Sequence, residues 1–398
     1  MLNSLSIAGR TDAAAGDTAR LSVALMVRRF VPSAGGLESW AHDLAKMLLA
    51  RRCRVRVLTT AAEVDLAGLD VTIVPAADDA LAQARLFAAA AAELRGEIVH
   101  DTGVGLSSDV FQPQMGCQAL NQSRDLATLP LRRRLRLARS LGFHRSVRAA
   151  RRFEAMQLAS ARCVVAVSRE TAAAFQERYG VRPERIVIIP NGIDTERFNP
   201  LDARKSRAAL RHALGISDGT LTLLAAANNF RLKGVRYAIE AMAAPELGDA
   251  LLLVAGVGEI EEFAALARRK GVADRVRFLG RVEDMPSLYG AADIFVHPTA
   301  HDACSLATLE AMASGLPVVT TRFNGAADGM RPGREGIVLD RLSTRSLVRA
   351  LADMRDPARR AVMGRDARRL AERHAFGDSV DRLIGVYGTL QPQPRPRP

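Results

Sequence analysis

The stretch His297–Thr321, HPTAHDACSLATLEAMASGLPVVTT, narrows this chain to one kind of fold. The residues leading into it, DIFVH, read as a buried strand, and LPVVTT at its end reads as another, with an alanine-rich helix between them. A strand–loop–helix–strand order places the loop at the carboxyl end of a parallel sheet, where open α/β sheets bind ligands. Asp302 falls in that loop, and Glu310 follows eight residues later inside the helix. Ser305 is a good N-cap, so the free N–H groups and dipole of the helix face the same crevice and favour an anion. The Glu310 side chain leans back toward the helix N-terminus and reaches a hydroxyl bound near the loop. The expected ligand carries both phosphate and hydroxyls.

Working outward, apolar runs alternate with helical spacing from Leu21 to about Leu339, the mark of βαβ units. LSVALMV, RVRVLTT, VTIV, EIVH, CVVAV and IVIIP are the strands of the first half. LTLLAAA, ALLLVAG, RVRFLG, DIFVH and LPVVTT are those of the second. Between the sets, Asn191-Gly192 and Pro200 mark a turn and a break. The expected architecture is α/β, with two doubly wound Rossmann-like domains facing a cleft. A leader spans residues 1–20, one domain 21–199 and another 200–374. A helix with apolar spacing follows at 375–390, then a proline-rich disordered tail at 391–398.

No apolar run reaches the roughly 20 residues needed to cross a bilayer, and the N-terminus lacks the apolar core of a secretory signal. Cys53, Cys117, Cys163 and Cys304 are scattered without metal-ligand spacing, which fits a reduced, cytoplasmic setting and no bound metal. The net charge of +13 is almost all arginine, with only four lysines. One window stands out: Arg124–Arg152 holds ten arginines against a single acid, Asp125. Within it, LRRRLRLARSLGF is expected to form one helix. Leu131, Leu135, Leu137, Ala138 and Leu141 lie on one arc, and Arg132, Arg133, Arg136 and Arg139 on the other. Such a stretch suits an anionic membrane surface, although a helix docked on its own domain has the same pattern.

Two further βα turns are candidates for phosphate. Gly35 and Gly36 follow the first strand where a helix begins, and paired glycines let a ligand approach the backbone. In NNFRLKGV, Arg231 and Lys233 precede a glycine that opens a helix; a guanidinium fork and an ammonium there make a diphosphate clamp. The chain has no D-x-D, so cations and helix ends are left to neutralise phosphates. His301 reads as a solvated loop histidine, and His297 equally as a packing or orienting group or as a catalytic one. His100, Asp101 and Asp109 are expected where the first sheet opens, one of them meeting an acceptor.

Taken together, SAGGLESWAHDLAKMLLARRCRVRVLTT, VVAVSRETAAAFQERYGVRPERIVIIPNGIDTERFNP, FRLKGVRYAIEAMA and the opening stretch resemble the retaining GT-B glycosyltransferases of family 4 over roughly residues 21–390. The short NNFRLKGV loop, RRFEAMQLAS and DVFQPQMGC are most similar to the bacterial α-glucosyltransferases of lipopolysaccharide core. The resemblance implies an acceptor-side first domain, a nucleotide-sugar-binding second domain, and a C-terminal helix that packs back on the first. It implies that Gly35 and Gly36 lie under the donor diphosphate, and that Arg231 and Lys233 bind that diphosphate and stabilise the leaving group. Asp302 takes the place of the first glutamate of the family's two-glutamate motif, at the donor sugar, with Ala303, Cys304, Ser305 and Leu306 around it. Glu310 is the second glutamate, on the ribose, and Asp109 contacts the acceptor or the donor sugar. Three residues depart from the pattern: Asp302 is one methylene short, Ser305 replaces a frequent glycine, and Asn228 replaces a frequent arginine.

The implied function is metal-independent transfer of a hexose, glucose from UDP-glucose, with retention, onto a membrane-linked saccharide such as lipopolysaccharide core. The implied location is peripheral, on the inner face of the cytoplasmic membrane. Other family 4 transfers (mannosyl or GlcNAc, to exopolysaccharide or glycolipid) stay open, as do a UDP-sugar epimerase on the same fold and a non-catalytic anion-binding protein. Nucleic acid is a poor candidate partner, because aromatic residues make up only 5% of the chain.

Overall fold

The computed structural model describes residues 21–392. The expected leader at 1–20, and the expected tail beyond residue 392, lie outside the described residues. The first sheet holds seven strands, β1 (Ser22–Met26), β2 (Arg54–Thr59), β3 (Leu69–Ile73), β4 (Ile98–Asp101), β5 (Val110–Phe111), β6 (Cys163–Ala166) and β7 (Ile186–Ile188). Their order is β3-β2-β1-β4-β5-β6-β7, with every pairing parallel. The second sheet holds six strands, β8 (Thr222–Ala226), β9 (Leu251–Ala255), β10 (Val276–Gly280), β11 (Ile294–His297), β12 (Val318–Thr321) and β13 (Gly336–Leu339). They run in the order β10-β9-β8-β11-β12-β13, again all parallel. The molecule is therefore two doubly wound Rossmann-like units, as the alternation of strand and helix patterns predicts.

Central strands such as β8, β9 and β11 are buried at every residue. That is why they read as continuous apolar runs rather than as alternating ones: helices cover both faces of a parallel sheet. In each sheet the strand order reverses about one pair, β1/β4 and β8/β11. Connections leave in opposite directions there and open a crevice at the carboxyl edge.

Two strands escaped the sequence pattern. β5 has only two residues, too short to show a pattern, and β13 begins at a glycine at φ 157°, so its apolar run is only Ile337, Val338 and Leu339. The missed β5 matters for the site, because it changes which edge of the sheet Asp109 occupies.

The helix Phe376–Gly388 buries Val380, Leu383 and Tyr387 in the core beneath the first sheet, beside Val23, Leu25 and Trp40. Its Tyr387 hydroxyl meets His100 Nδ1 at 2.6 Å. The chain enters that helix through a backbone bridge between Ile193 and Ala375. The C-terminal segment thus belongs to the core of the first unit.

The segment LRRRLRLARSLGF, expected as one helix, is divided between two. Leu131–Ala138 ends at Arg139, and Ser140 caps a second helix, Leu141–Ser160, by accepting from Phe143 N. The shorter helix has no buried residue. Leu131, Leu135 and Leu141 are 67%, 51% and 75% exposed, so this arm is not docked on its own domain.

Candidate active site in the crevice between the sheets

The loop after β11 is held by backbone and amide bonds on both sides. Asp302 N donates to Phe323 O at 2.9 Å, and Gly325 N donates to Asp302 O at 2.8 Å. Fully buried Asn324 ties the loop to its helix. Its Oδ1 accepts from Ser305 N (3.3 Å) and Ala326 N (3.1 Å), while Nδ2 donates to Thr308 Oγ1 (3.0 Å) and Thr320 Oγ1 (3.1 Å). Ser305 caps the helix Leu306–Ala313, its Oγ accepting from Thr308 N at 3.2 Å. From the first unit, Asn191 Nδ2 donates to Cys304 O at 3.1 Å. Local sequence gave no signal for Asn191 or Asn324, since both act through partners distant in the chain.

On this frame, Asp302 Oδ2 meets Lys233 Nζ at 2.7 Å and His297 Nε2 at 2.9 Å. Burial works against its charge, yet Lys233 and His297 overcome that cost and hold the carboxyl well below the usual carboxylate range. The same burial pushes His297 down from its ordinary value, against the pull of Asp302. Lys233 is placed by Gly234, which adopts φ 75°, and a Cβ there would fall 1.9 Å from Pro298 O. Only glycine permits that approach of the two βα turns.

Glu310, one turn into the helix, accepts from the Tyr289 hydroxyl at 2.7 Å. Burial raises its carboxyl above the ordinary value, with the Tyr289 bond and Arg197 opposing. Tyr289 is a further site residue that sequence reading did not identify.

Gly36 faces this loop from the other sheet, and a Cβ there would lie 3.6 Å from Leu306 Cδ1. Two helix N-termini, those of Gly36–Ala50 and Leu306–Ala313, therefore meet across the crevice. Gly35 is the N-cap of the first, in extended backbone at φ 172°. Ala303, Cys304 and Ser305 are buried, and burial pushes the Cys304 thiol up to about 12. Cys304 packs within the core of the second unit.

Arg231 lies at the same mouth but is already engaged. Its Nη2 bonds Asp125 Oδ2 at 3.1 Å and lies 2.9 Å from Oδ1, while Nη1 donates to Thr128 Oγ1 at 3.2 Å. Asp125 and Thr128 end the helix Gln118–Thr128 of the first unit, immediately before the arginine-rich arm. Asn228 accepts from Val257 N at 3.1 Å through its side chain, which shapes the neighbouring turn.

Two expectations are corrected. Asp109 does not reach the crevice. It precedes β5, level with Val99, at the amino edge of the sheet, where its carboxylate accepts from Val99 N (2.9 Å) and Arg162 Nη1 (3.3 Å). His301 is not solvated: it is 2% exposed, and its carbonyl accepts from Lys233 Nζ at 3.2 Å. Of the other two residues expected at the first sheet's mouth, His100 is held by Tyr387. Asp101 folds its own loop, accepting from Gly103, Val104 and Gly105 N–H groups. Of the expected donor-site residues, Lys233 and Asp302 are in direct contact and Gly36 faces Leu306, whereas Arg231 is held by Asp125 and Thr128 and Glu310 by Tyr289.

The comparisons agree with this geometry. A model of "Glycosyl transferases group 1" matches residues 220–356, and one of "Glycosyltransferase Family 4" matches residues 120–197. The chain carries glycosyltransferase group 1 and family 4 domains and has the GT-B fold. A D-inositol 3-phosphate glycosyltransferase of Geodermatophilus obscurus is 29% identical over 390 residues, 89% of this chain and 84% of that protein. The lipopolysaccharide glucosyltransferase WaaG of Escherichia coli is 36% identical over 170 residues. That alignment spans 42% of this chain and less than half of the relative, 46%. The crystal structure of a WaaG glycosyltransferase involved in lipopolysaccharide biosynthesis superposes with a TM-score of 0.75 at 26% identity, covering 92% of this chain and 99% of that one. With the family in hand, the crevice between the sheets is the place to look for transfer chemistry.

Proposed function

We propose that this glycosyltransferase moves a hexose, glucose from UDP-glucose, onto a membrane-linked saccharide of the lipopolysaccharide core type, with retention of configuration. The observation that carries the reading is the buried Lys233–Asp302–His297 cluster at the N-terminus of the Leu306–Ala313 helix, facing Gly36 across the crevice. In this reading Lys233, Arg231 and the two helix N-termini meet the donor diphosphate and stabilise charge on the departing phosphate. No metal ion is assigned a role. Glu310, braced by Tyr289, accepts from the ribose diol. Asp302, held ionised, accepts from donor sugar hydroxyls and has no proton to give. The pair therefore does not act as a glycosidase acid and base. The departing phosphate oxygen, on the same face as the acceptor, takes the acceptor's proton.

The arm at Leu131–Leu141 supports a peripheral location on an anionic membrane. Leu131, Leu135 and Leu141 are uncovered, nine arginines lie between Arg132 and Arg152, and both features match a headgroup interface. No helix among the described residues is long and apolar enough to cross a membrane.

The test is incubation with a panel of nucleotide sugars, with and without a lipid-linked saccharide acceptor, with the product anomer read by NMR. The expected result is UDP release that depends on acceptor, an α-linked product, and loss of both in Glu310→Ala while that variant stays folded. Sugar conversion without acceptor would instead identify an epimerase. Absence of nucleotide-sugar binding altogether would leave an anion-binding protein.

A further inference from the structure

Buried polar atoms almost always find a hydrogen-bond partner, so those that lack one mark places where a ligand completes the structure. His301 supplies two such atoms: neither Nδ1 nor Nε2 is hydrogen-bonded, although the residue is 2% exposed. Looseness of the loop does not explain this. His301 N donates to Thr299 Oγ1 at 3.1 Å, and its carbonyl accepts from Thr299 Oγ1 at 2.8 Å and Lys233 Nζ at 3.2 Å. The backbone is pinned on both sides and the ring is held where it is.

The ring faces the first unit. Its Nδ1 lies 3.5 Å from Glu170 Oε2, in the first turn of the helix Arg169–Tyr179. Glu170 is itself fixed, its Oε1 accepting from Arg124 Nη2 at 2.9 Å, and the Arg124 guanidinium stacks 4.0 Å over the Phe323 ring. In the neutral ring, a carboxylate on that side favours the tautomer with its proton on Nδ1 and with Nε2 as the acceptor. Phosphate oxygens at neutral pH also only accept, so an accepting nitrogen is mismatched to them. A sugar hydroxyl donates and fits. His301 is also adjacent in sequence to Asp302, the carboxylate assigned above to the donor sugar.

We propose that His301 is a specificity-determining residue of the donor subsite: Nε2 accepts from a hydroxyl of the donor sugar while Glu170, across the crevice, orients the ring. The inference rests on the nucleotide-sugar reading given above and adds a contact made only when the sugar is present. Because Glu170 comes from the opposite unit, the contact also couples sugar recognition to the approach of the two sheets.

Calorimetry with UDP and with UDP-glucose tests it, using the wild type, His301→Ala, His301→Gln and Glu170→Gln. One neutral hydrogen bond corresponds to a weakening of about five- to tenfold. His301→Ala is expected to lose that much affinity for UDP-glucose while UDP binding stays within about twofold. His301→Gln, whose amide oxygen still accepts, recovers part of the loss, and Glu170→Gln shows a smaller loss for UDP-glucose alone. Unchanged UDP binding also reports that each variant is folded. Equal weakening of UDP and UDP-glucose, or no weakening of either, overturns the role of His301 and leaves the nucleotide-sugar reading intact. A wild type that binds neither compound overturns that reading and this one together.

Discussion

Two regions of this molecule meet solvent in opposite ways. The loop and helix from His297 to Ala313 are enclosed, with their charges paired at 2.7–2.9 Å and their backbone tied by Asn191 and Asn324. The arm that begins at Leu131 buries nothing in its first helix and leaves leucine at 67% exposure. The first region has bought its charges' desolvation with fixed partners, so it is preorganised for a ligand that brings more charge. The second leaves apolar surface and cations in solvent, the combination on which the proposed membrane contact rests. Rigidity marks where chemistry is expected, and uncovered surface marks where docking is expected.

The sharpest way to break that contrast is to remove the cation at the centre of the enclosed region. Lys233→Ala takes away the ammonium beside Asp302 and the charge that would face the diphosphate. The expected loss in kcat/KM is about 10²- to 10³-fold, measured as acceptor-dependent UDP release with folding checked by circular dichroism. A loss under tenfold would mean that the cluster is structural and that the transfer site lies elsewhere.

Next in size is the frame. Asn324→Ala strands the Ser305 and Ala326 N–H groups inside the protein and removes the donor to the Thr308 and Thr320 hydroxyl oxygens. The expected cost is about 2–3 kcal/mol of unfolding free energy, read from urea melts. The arm should respond differently: Leu131→Ser, Leu135→Ser and Leu141→Ser together should shift the same melts by less than about 0.5 kcal/mol. If the triple variant were destabilised as much as Asn324→Ala, the arm would be packed in solution and the contrast would fail.

The triple variant has its own readout. With vesicles of anionic phospholipid, wild-type protein should sediment at low salt. The serine variant should bind about tenfold more weakly, since three leucines lose part of their burial at the interface. Zwitterionic vesicles should bind neither protein well. Equal binding of the two proteins to anionic vesicles would assign the docking to arginine alone.

How far the sequence reached follows the same division. Strands buried on both faces appear as unbroken apolar runs, so both sheets were legible, apart from two-residue β5 and from β13, which opens at a glycine and has half-buried residues at its centre. Asp302, Glu310, Lys233 and Arg231 were legible because βα turns at a carboxyl edge have a local grammar of N-cap, glycine and charge. Asp109 was misplaced because the two-residue β5 is invisible in sequence, and moving one strand moved that aspartate to the far edge. His301 was misread because burial of a loop residue depends on the opposite unit, through Glu170 and Arg124. Asn191, Tyr289 and Asn324 were missed for a related reason: each braces the site through a partner far away in sequence, and no local pattern records such a contact.

The smallest effect tests whether the two regions communicate. Arg231, assigned to the diphosphate in the proposed function, is held by Asp125 at the root of the arm. Donor phosphates must therefore displace a carboxylate before the guanidinium can meet them. Both side chains are about a third exposed, 28% and 34%, so the pair is screened and contributes roughly 0.2–1 kcal/mol. Asp125→Ala should accordingly bind UDP about two- to fivefold more tightly than wild type by calorimetry. Anionic vesicles should narrow that gap if docking the arm draws Asp125 away. Weaker binding by the variant would show that Asp125 presents Arg231 to the donor rather than withholding it. The enclosed site and the exposed arm would then be joined by a brace, and vesicles would leave the affinity of the wild type unchanged.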